Sequence, residues 1–226
     1  MIGHDTSRQD TTLDKVMYMR QLPLGVELGR RGWVHRAMGL RVAESRADRA
    51  LVADIVRNRH GLGRWPAPPR TLILSYLASL RGIDGDAAGC VVVALLPGQY
   101  HCTKALGLQQ YEVLTLARMW RADDLTPRVA PDFTPEVLRR IVRGERSRGP
   151  LLGVREEWIA RKCRADGLRA APRLLATYAD PAQGHDGATY LAAGATACGA
   201  GTGGKLLFAW PLDAEIKQRL AGVPHG

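Results

Sequence analysis

Three short apolar runs lie close together in the first half of this chain: Thr71–Leu80, Gly89–Leu96 and Tyr111–Trp120. The first partly alternates, and the second is apolar until Pro97 stops it. Short apolar runs bounded by turn residues read as strands. Asp84-Gly85-Asp86, between the first two, has the turn chemistry of a hairpin. This stretch therefore predicts antiparallel strands, and the rest of the chain has to be fitted around them.

The flanking sequence alternates between helix and strand signals. Ser45 is a good N-cap, Asp48 completes a capping box, and Leu51, Val52, Ile55 and Val56 form one apolar stripe. That helix should stop near Arg59, because Gly61, Gly63 and Pro66 cannot continue it. Upstream, residues 1–15 read as a mobile tail. Lys15–Leu22 reads as a first strand, and a Gly- and Arg-rich connection runs through Gly39. Downstream, a Pro-rich loop (Pro127, Pro131, Pro135) leads to a short basic helix at Glu136–Arg143. A second helix, Leu151–Asp166, follows Gly149-Pro150 and is closed by Gly167. Then come a strand at Arg173–Tyr178, a helix at Gly184–Ala193 and a strand at Lys205–Trp210. Antiparallel strands followed by a β-α-β-α-β tail predict an α+β fold around one mixed sheet, in a single domain over 16–226.

Charge narrows the partners. Lys and Arg number 32 against 22 Asp and Glu, a net of +10. A GC-rich coding bias accounts for much of the arginine, but not for its clustering. Arg139–Arg173 holds eleven cations and four anions, so seven of the ten net charges fall within 35 residues. A clustered basic face suits a polyanion: nucleic acid or a phosphorylated cofactor. The four cysteines, Cys90, Cys102, Cys163 and Cys198, have no close spacing and support neither a disulfide framework nor a zinc site. No apolar run reaches the ~20 residues of a membrane span, which points to a cytoplasmic protein with no membrane partner.

The order of elements resembles that of GCN5-related N-acetyltransferases (GNAT), and this resemblance implies a GNAT-like acyl-CoA N-acyltransferase fold. Three segments sharpen it. Tyr178–Gly194, with Asp180, a Gly-rich loop, Tyr190 and a closing Gly, resembles a block of the bacteriophage Mom DNA-modification proteins. Leu116–Pro127, with Arg118 and Trp120, resembles that family's preceding strand, and His60–Pro66 resembles its N-terminal block. Against that pattern, residues 128–146 read as a Pro- and Arg-rich insertion before the cofactor helix. The resemblance implies a DNA base-modifying enzyme acting on the exocyclic amine of adenine. It would add a carbamoylmethyl-type group that protects phage DNA from restriction, in the host cytoplasm if the chain is phage-encoded. It also implies acetyl-CoA and iron.

Candidate site residues follow. Arg146-x-Arg148-Gly149-Pro150-Leu151-Leu152-Gly153 opens a predicted helix; its first-turn amides and two arginines make an anion site suited to a pyrophosphate. In acetyltransferases the corresponding helix start holds coenzyme A, which makes Arg146, Arg148, Gly149, Leu151, Leu152 and Gly153 the cofactor-binding candidates. Asp180, ending a strand, and Tyr190, on the following helix, are the catalytic candidates: a carboxylate to orient the amine and a phenol to protonate the departing thiolate. His60, His101 and Cys102 carry side chains competent to ligate iron. His185, beside Asp186, is ambiguous in the same way. Arg57, Arg59, Arg64, Arg139, Arg140 and Arg143 are candidates for holding a DNA backbone, double-stranded or locally opened, since a base inside a duplex is out of reach. Two other functions compete: an acetyl-CoA-dependent N-acetyltransferase acting on a small-molecule or protein amine, and a basic DNA-binding protein without catalysis.

Overall fold

The computed structural model describes residues 38–60, 72–80, 89–96, 106–123, 125, 132–146 and 172–221. The expected tail 1–15, strand Lys15–Leu22, turn Asp84–Asp86 and helix Leu151–Asp166 lie outside these residues.

Seven strands are described: β1 is Met38–Val42, β2 Leu72–Leu80, β3 Cys90–Leu96, β4 Val113–Arg121, β5 Leu174–Ala179, β6 Thr196–Ala200 and β7 Leu206–Pro211. They form one sheet in the order β1-β2-β3-β4-β5-β7-β6. Every neighbouring pair is antiparallel except β4 and β5, which run parallel. Among the described residues four α-helices accompany them: α1 (Arg46–Asp54), α2 (Phe133–Arg146), α3 (Ala188–Ala192) and α4 (Ala214–Ala221). This is a mixed α+β sheet with its antiparallel strands first, as the order of sequence signals predicts.

The helices cover both faces of the sheet. On one, α2 sets Phe133, Val137, Leu138, Ile141 and Val142 against Leu74, Tyr76, Cys90, Val92, Leu114 and Leu116. On the other, Val52, Ile55 and Val56 pack against Leu77, Val91 and Val93, and farther along Ile216 and Leu220 of α4 cover Val113, Leu174 and Ala176. Strand β3 gives alternate residues to each face, which explains why its sequence is apolar without a break.

Local sequence explains most of the boundaries. Ser45 Oγ accepts the Asp48 amide at 2.9 Å, capping α1 as expected. The Asp48 carboxylate turns instead to Arg41 at 2.9 Å, whose guanidinium holds it below the usual carboxylate range. α1 runs on into one π-helical turn, Ile55–Arg59, closed by His60 N donating to Ile55 O at 3.0 Å. Residues predicted as a connection through Gly39 form β1, an edge strand whose five residues pair with β2 from Met38↔Leu80 to Val42↔Tyr76. β6, which lies outside the predicted elements, is built from small residues and pairs with β7. The helix expected over Gly184–Ala193 is only Ala188–Ala192, because Gly184 and Gly187 adopt left-handed conformations that interrupt it. Helix α4 also lies beyond the predicted elements; Asp213 Oδ1 caps it by accepting from Ile216 N at 2.9 Å.

Candidate functional site

The parallel junction is where the sheet comes apart. Strands β4 and β5 pair only over Val113–Thr115 and Leu174–Ala176. Beyond that, β4 stays with β3 as far as Arg121, and β5 stays with β7 as far as Ala179. A bulge marks the parting: Ala94 faces Leu116 while Val93 faces Arg118, which leaves Ala117 as the extra residue. The bulge also resets the alternation. It turns Arg118 and Trp120 toward the α1 face, opposite Val93 and Val91.

At the apex of the split, the next residues on the two strands are joined by a side chain. Buried Thr177 donates from Oγ1 to Leu116 O at 3.3 Å. The Tyr190 hydroxyl hydrogen-bonds Thr177, and burial pushes this phenol above its ordinary value. Its ring sits 5.5 Å from Phe208 and 6.0 Å, edge to face, from Trp210, measured between centroids. Gly187 sets that depth: φ is +84°, and a Cβ there would lie 2.1 Å from the Phe208 ring. Trp210 Nε1 donates to Ala193 O at 3.2 Å and ties down the far end of α3.

Asp180, the other catalytic candidate, does not join Tyr190. It ends β5, accepts from Gln183 Nε2 at 3.2 Å and pairs with Lys205 Nζ at 3.7 Å, so it closes a turn. On the opposite face, His60 reaches the second half of β4. Its imidazole donates to the Met119 carbonyl, with Arg118 and His185 as electrostatic neighbours. Burial first, then Arg118 and His185, hold His60 below its ordinary value. Arg59 lies over the Trp120 ring at 6.0 Å and within 3.9 Å of Asp54. Arg57 projects from the exposed side of the π turn.

The arginines of α2 turn inward along their helix. Arg139, Arg140 and Arg143 lie 3.2, 3.1 and 2.8 Å from the carboxylate of Glu136, which is only 1% exposed. Arg140 Nη1 also donates to Met38 O at 2.9 Å, anchoring the edge strand β1. Arg146 is the last residue of α2. Arg148, Gly149, Leu151, Leu152 and Gly153 lie outside the described residues, as do Arg64, His101 and Cys102. Among the described residues, no three His, Cys, Asp or Glu side chains gather to hold a metal ion, and no helix is long and apolar enough to cross a membrane.

Thr177 and Arg118 have roles that sequence patterning did not assign. Thr177 sits within an ordinary strand pattern, and only the parting of β4 from β5 gives its hydroxyl meaning. Arg118 looked like any polar strand residue until the bulge placed it on the α1 face.

No protein-family model matches the chain, and no curated protein is similar to it. Among solved structures, a protein from Sphaerobacter thermophilus assigned as an acetyltransferase aligns at 13% identity and a TM-score of 0.39, covering 83% of this chain and 96% of its own. The AHL synthase LasI aligns at 12% identity and a TM-score of 0.39, covering 82% and 95%.

Proposed function

We propose that the chain transfers an acyl group from acyl-CoA to an amine, with the chemistry at the split between β4 and β5. The observation that carries this reading is the phenol of Tyr190, hydrogen-bonded to Thr177 where the two strands part. The GNAT-like sheet and the resemblance in residues 116–127 and 178–194 support the same reading. In this mechanism the acceptor nitrogen attacks the thioester carbonyl and a C–N bond forms. The C–S bond then breaks, the thiolate leaves with a proton from Tyr190, and the surplus proton on the acceptor nitrogen returns to the phenolate. Burial keeps the Tyr190 phenol protonated, so the proton is in place for transfer. The cofactor would enter along the start of the segment Arg146–Gly153, its pyrophosphate against Arg148 and the amides after Gly149.

The acceptor that the resemblance favours is the exocyclic amine of adenine in DNA, with Arg57 and Arg59 at the end of the π turn as backbone contacts. A small-molecule or protein amine is the second reading. It gains weight from one observation: Arg139, Arg140 and Arg143, expected on DNA phosphates, converge on Glu136.

The test is Tyr190→Phe, which keeps the ring and deletes the hydroxyl. Loss of a general acid should slow transfer by roughly 10²–10⁴-fold. Acetyl-CoA affinity, measured by calorimetry, should hold. Mass spectrometry of nucleosides from co-expressed DNA reads out the adenine product, and labelled acetyl transfer to small amines without DNA reads out the alternative. Near-normal product in the Phe variant would remove Tyr190 from the chemical step.

A further inference from the structure

Helix α3 is five residues long, too short to hold a shape by its own hydrogen bonds, and it carries Tyr190 at its centre. Two side chains of β7 take over that task. Phe208 and Trp210 are two residues apart on one strand, so both face α3. Trp210 holds the end of the helix: its Nε1 donates to Ala193 O at 3.2 Å, and the Ala193 amide donates to Tyr190 O at 3.1 Å. Phe208 works at the start. Gly187 caps α3 and accepts from the Tyr190 and Leu191 amides at 2.9 and 3.1 Å. It lies so close to the Phe208 ring that a Cβ would collide with three of the ring carbons.

The ring is thus fitted against the first turn of α3. It meets Tyr190, three residues on and so on the same side of the helix, with 5.5 Å between centroids and 51° between planes. Register completes the geometry. Phe208 pairs directly with Thr177 across β5 and β7, so the two side chains stand beside each other on one face of the sheet. A phenol resting on Phe208 is thereby brought to Thr177, whose hydroxyl bridges the parting strands to Leu116 O. The Phe208 ring has no acid or base chemistry of its own. What it supplies is a height above the sheet.

We infer that Phe208 is a positioning residue for acyl transfer: fitted against the bare Cα of Gly187, its ring sets the height of Tyr190 and so keeps the phenol at the split between β4 and β5. This rests on the acyl-transfer reading and adds to it a residue that acts through Tyr190. Glycine at 187 is required twice, by its left-handed φ of +84° and by the ring against it. A larger residue there, or a smaller one at 208, moves the phenol without altering it.

The test follows the Tyr190 ring by NMR in the full-length protein with isotope-labelled tyrosine, the resonance being assigned by its loss in Tyr190→Phe. Phe208→Leu keeps the site apolar and removes the plane on which the phenol rests. The Tyr190 resonance should shift, and its titration, held above the ordinary phenol range by burial, should fall back toward that range. Acetyl transfer should slow in kcat by up to roughly 10²-fold, the scale of an ångström's misplacement, with calorimetric acetyl-CoA affinity unchanged. Gly187→Ala presses on the same ring from the other side and should move the same resonance. Combined with Phe208→Leu its effect should be smaller than the sum, because the shorter side chain leaves room for the methyl. If Phe208→Leu does not fold, the Gly187→Ala resonance decides. Leu191→Ala, at the 52% exposed neighbour on the same helix, should leave the resonance in place. A Tyr190 resonance and titration that stay put in Phe208→Leu and Gly187→Ala would overturn the inference, and so would an equal shift in Leu191→Ala. Wild-type protein that transfers no acetyl group would remove the acyl-transfer reading, while a moved phenol would still support Phe208 as the residue that sets its height.

Discussion

The two ends of the β4–β5 junction are built on opposite plans. At the closed end, just before β5, Arg173 is buried and linked to three acids: Glu112 at 3.6 Å, Asp213 and Glu215. Its backbone adds two more ties, donating to Glu112 O at 2.7 Å and accepting from Leu212 N at 2.8 Å. One residue thus binds the approach to β4, the start of β5, the end of β7 and the first turn of α4. At the open end, the strands are joined by the Thr177 hydroxyl at 3.3 Å, beside the buried phenol of Tyr190. The difference shows how one sheet combines a fixed junction with a parting of its strands. A fully satisfied polar network fixes one end, so the strands can part at the other without losing their positions.

Breaking the closed end should have the largest effect. Arg173→Met removes a buried guanidinium from Glu112, itself 6% exposed, and from Asp213 and Glu215, and should cost about 3–5 kcal/mol in denaturant unfolding, the range for breaking a buried pair. A loss under about 1 kcal/mol would mean that the strands are held by apolar packing alone. The open end should respond less. Thr177→Val removes the one bridging hydroxyl and should destabilise by about 1–3 kcal/mol, with Thr177→Ser restoring most of it. If the Val variant instead matches Arg173→Met, the two ends do not differ in the way their contacts imply.

The smallest effect is a pH dependence confined to the open end. His60 titrates below its ordinary value near 6.5 in the folded chain, so below that pH the unfolded state binds the proton first. Stability should therefore fall as pH drops from about 6.5 toward the folded His60 value, and His60→Gln should flatten that part of the curve. Arg173 stays charged throughout and contributes no slope there. Thermal melts of the two proteins between pH 5 and 8 would check this, and parallel curves would exclude His60 as the source.

The sequence was most legible where one element's own pattern decides the outcome. The apolar runs of β2, β3 and β4 were readable because continuous apolar residues with Gly and Pro at the ends have few other uses. The Ser45 cap and the Leu51–Val56 stripe located α1 because both are local. Tyr190 could be singled out as a candidate from its resemblance block. What escaped was decided by pairing. β1 and β6 contain Gly, Arg and small residues, and they are strands because a neighbouring edge offers them hydrogen bonds. The α4 signal was present in Asp213 with Ile216 and Leu220, but eight residues near the end of the chain need the Val113–Leu174 surface to be worth forming.

Composition and pattern alone thus determined a mixed sheet with its antiparallel part first, a basic chain and a phenol after the last parallel strand. Only the tertiary structure decided which charges matter. The arginines of α2 read as a surface for phosphates, and three of them also gather around Glu136, because i+3, i+4 and i+7 bring them to one carboxylate. Arg118 looked like any strand residue, and one bulged residue in β4 rotates it onto the face where α1 ends. A helix face is written in local spacing, whereas the meeting of two strand ends depends on register, and register is set by every strand in the sheet at once.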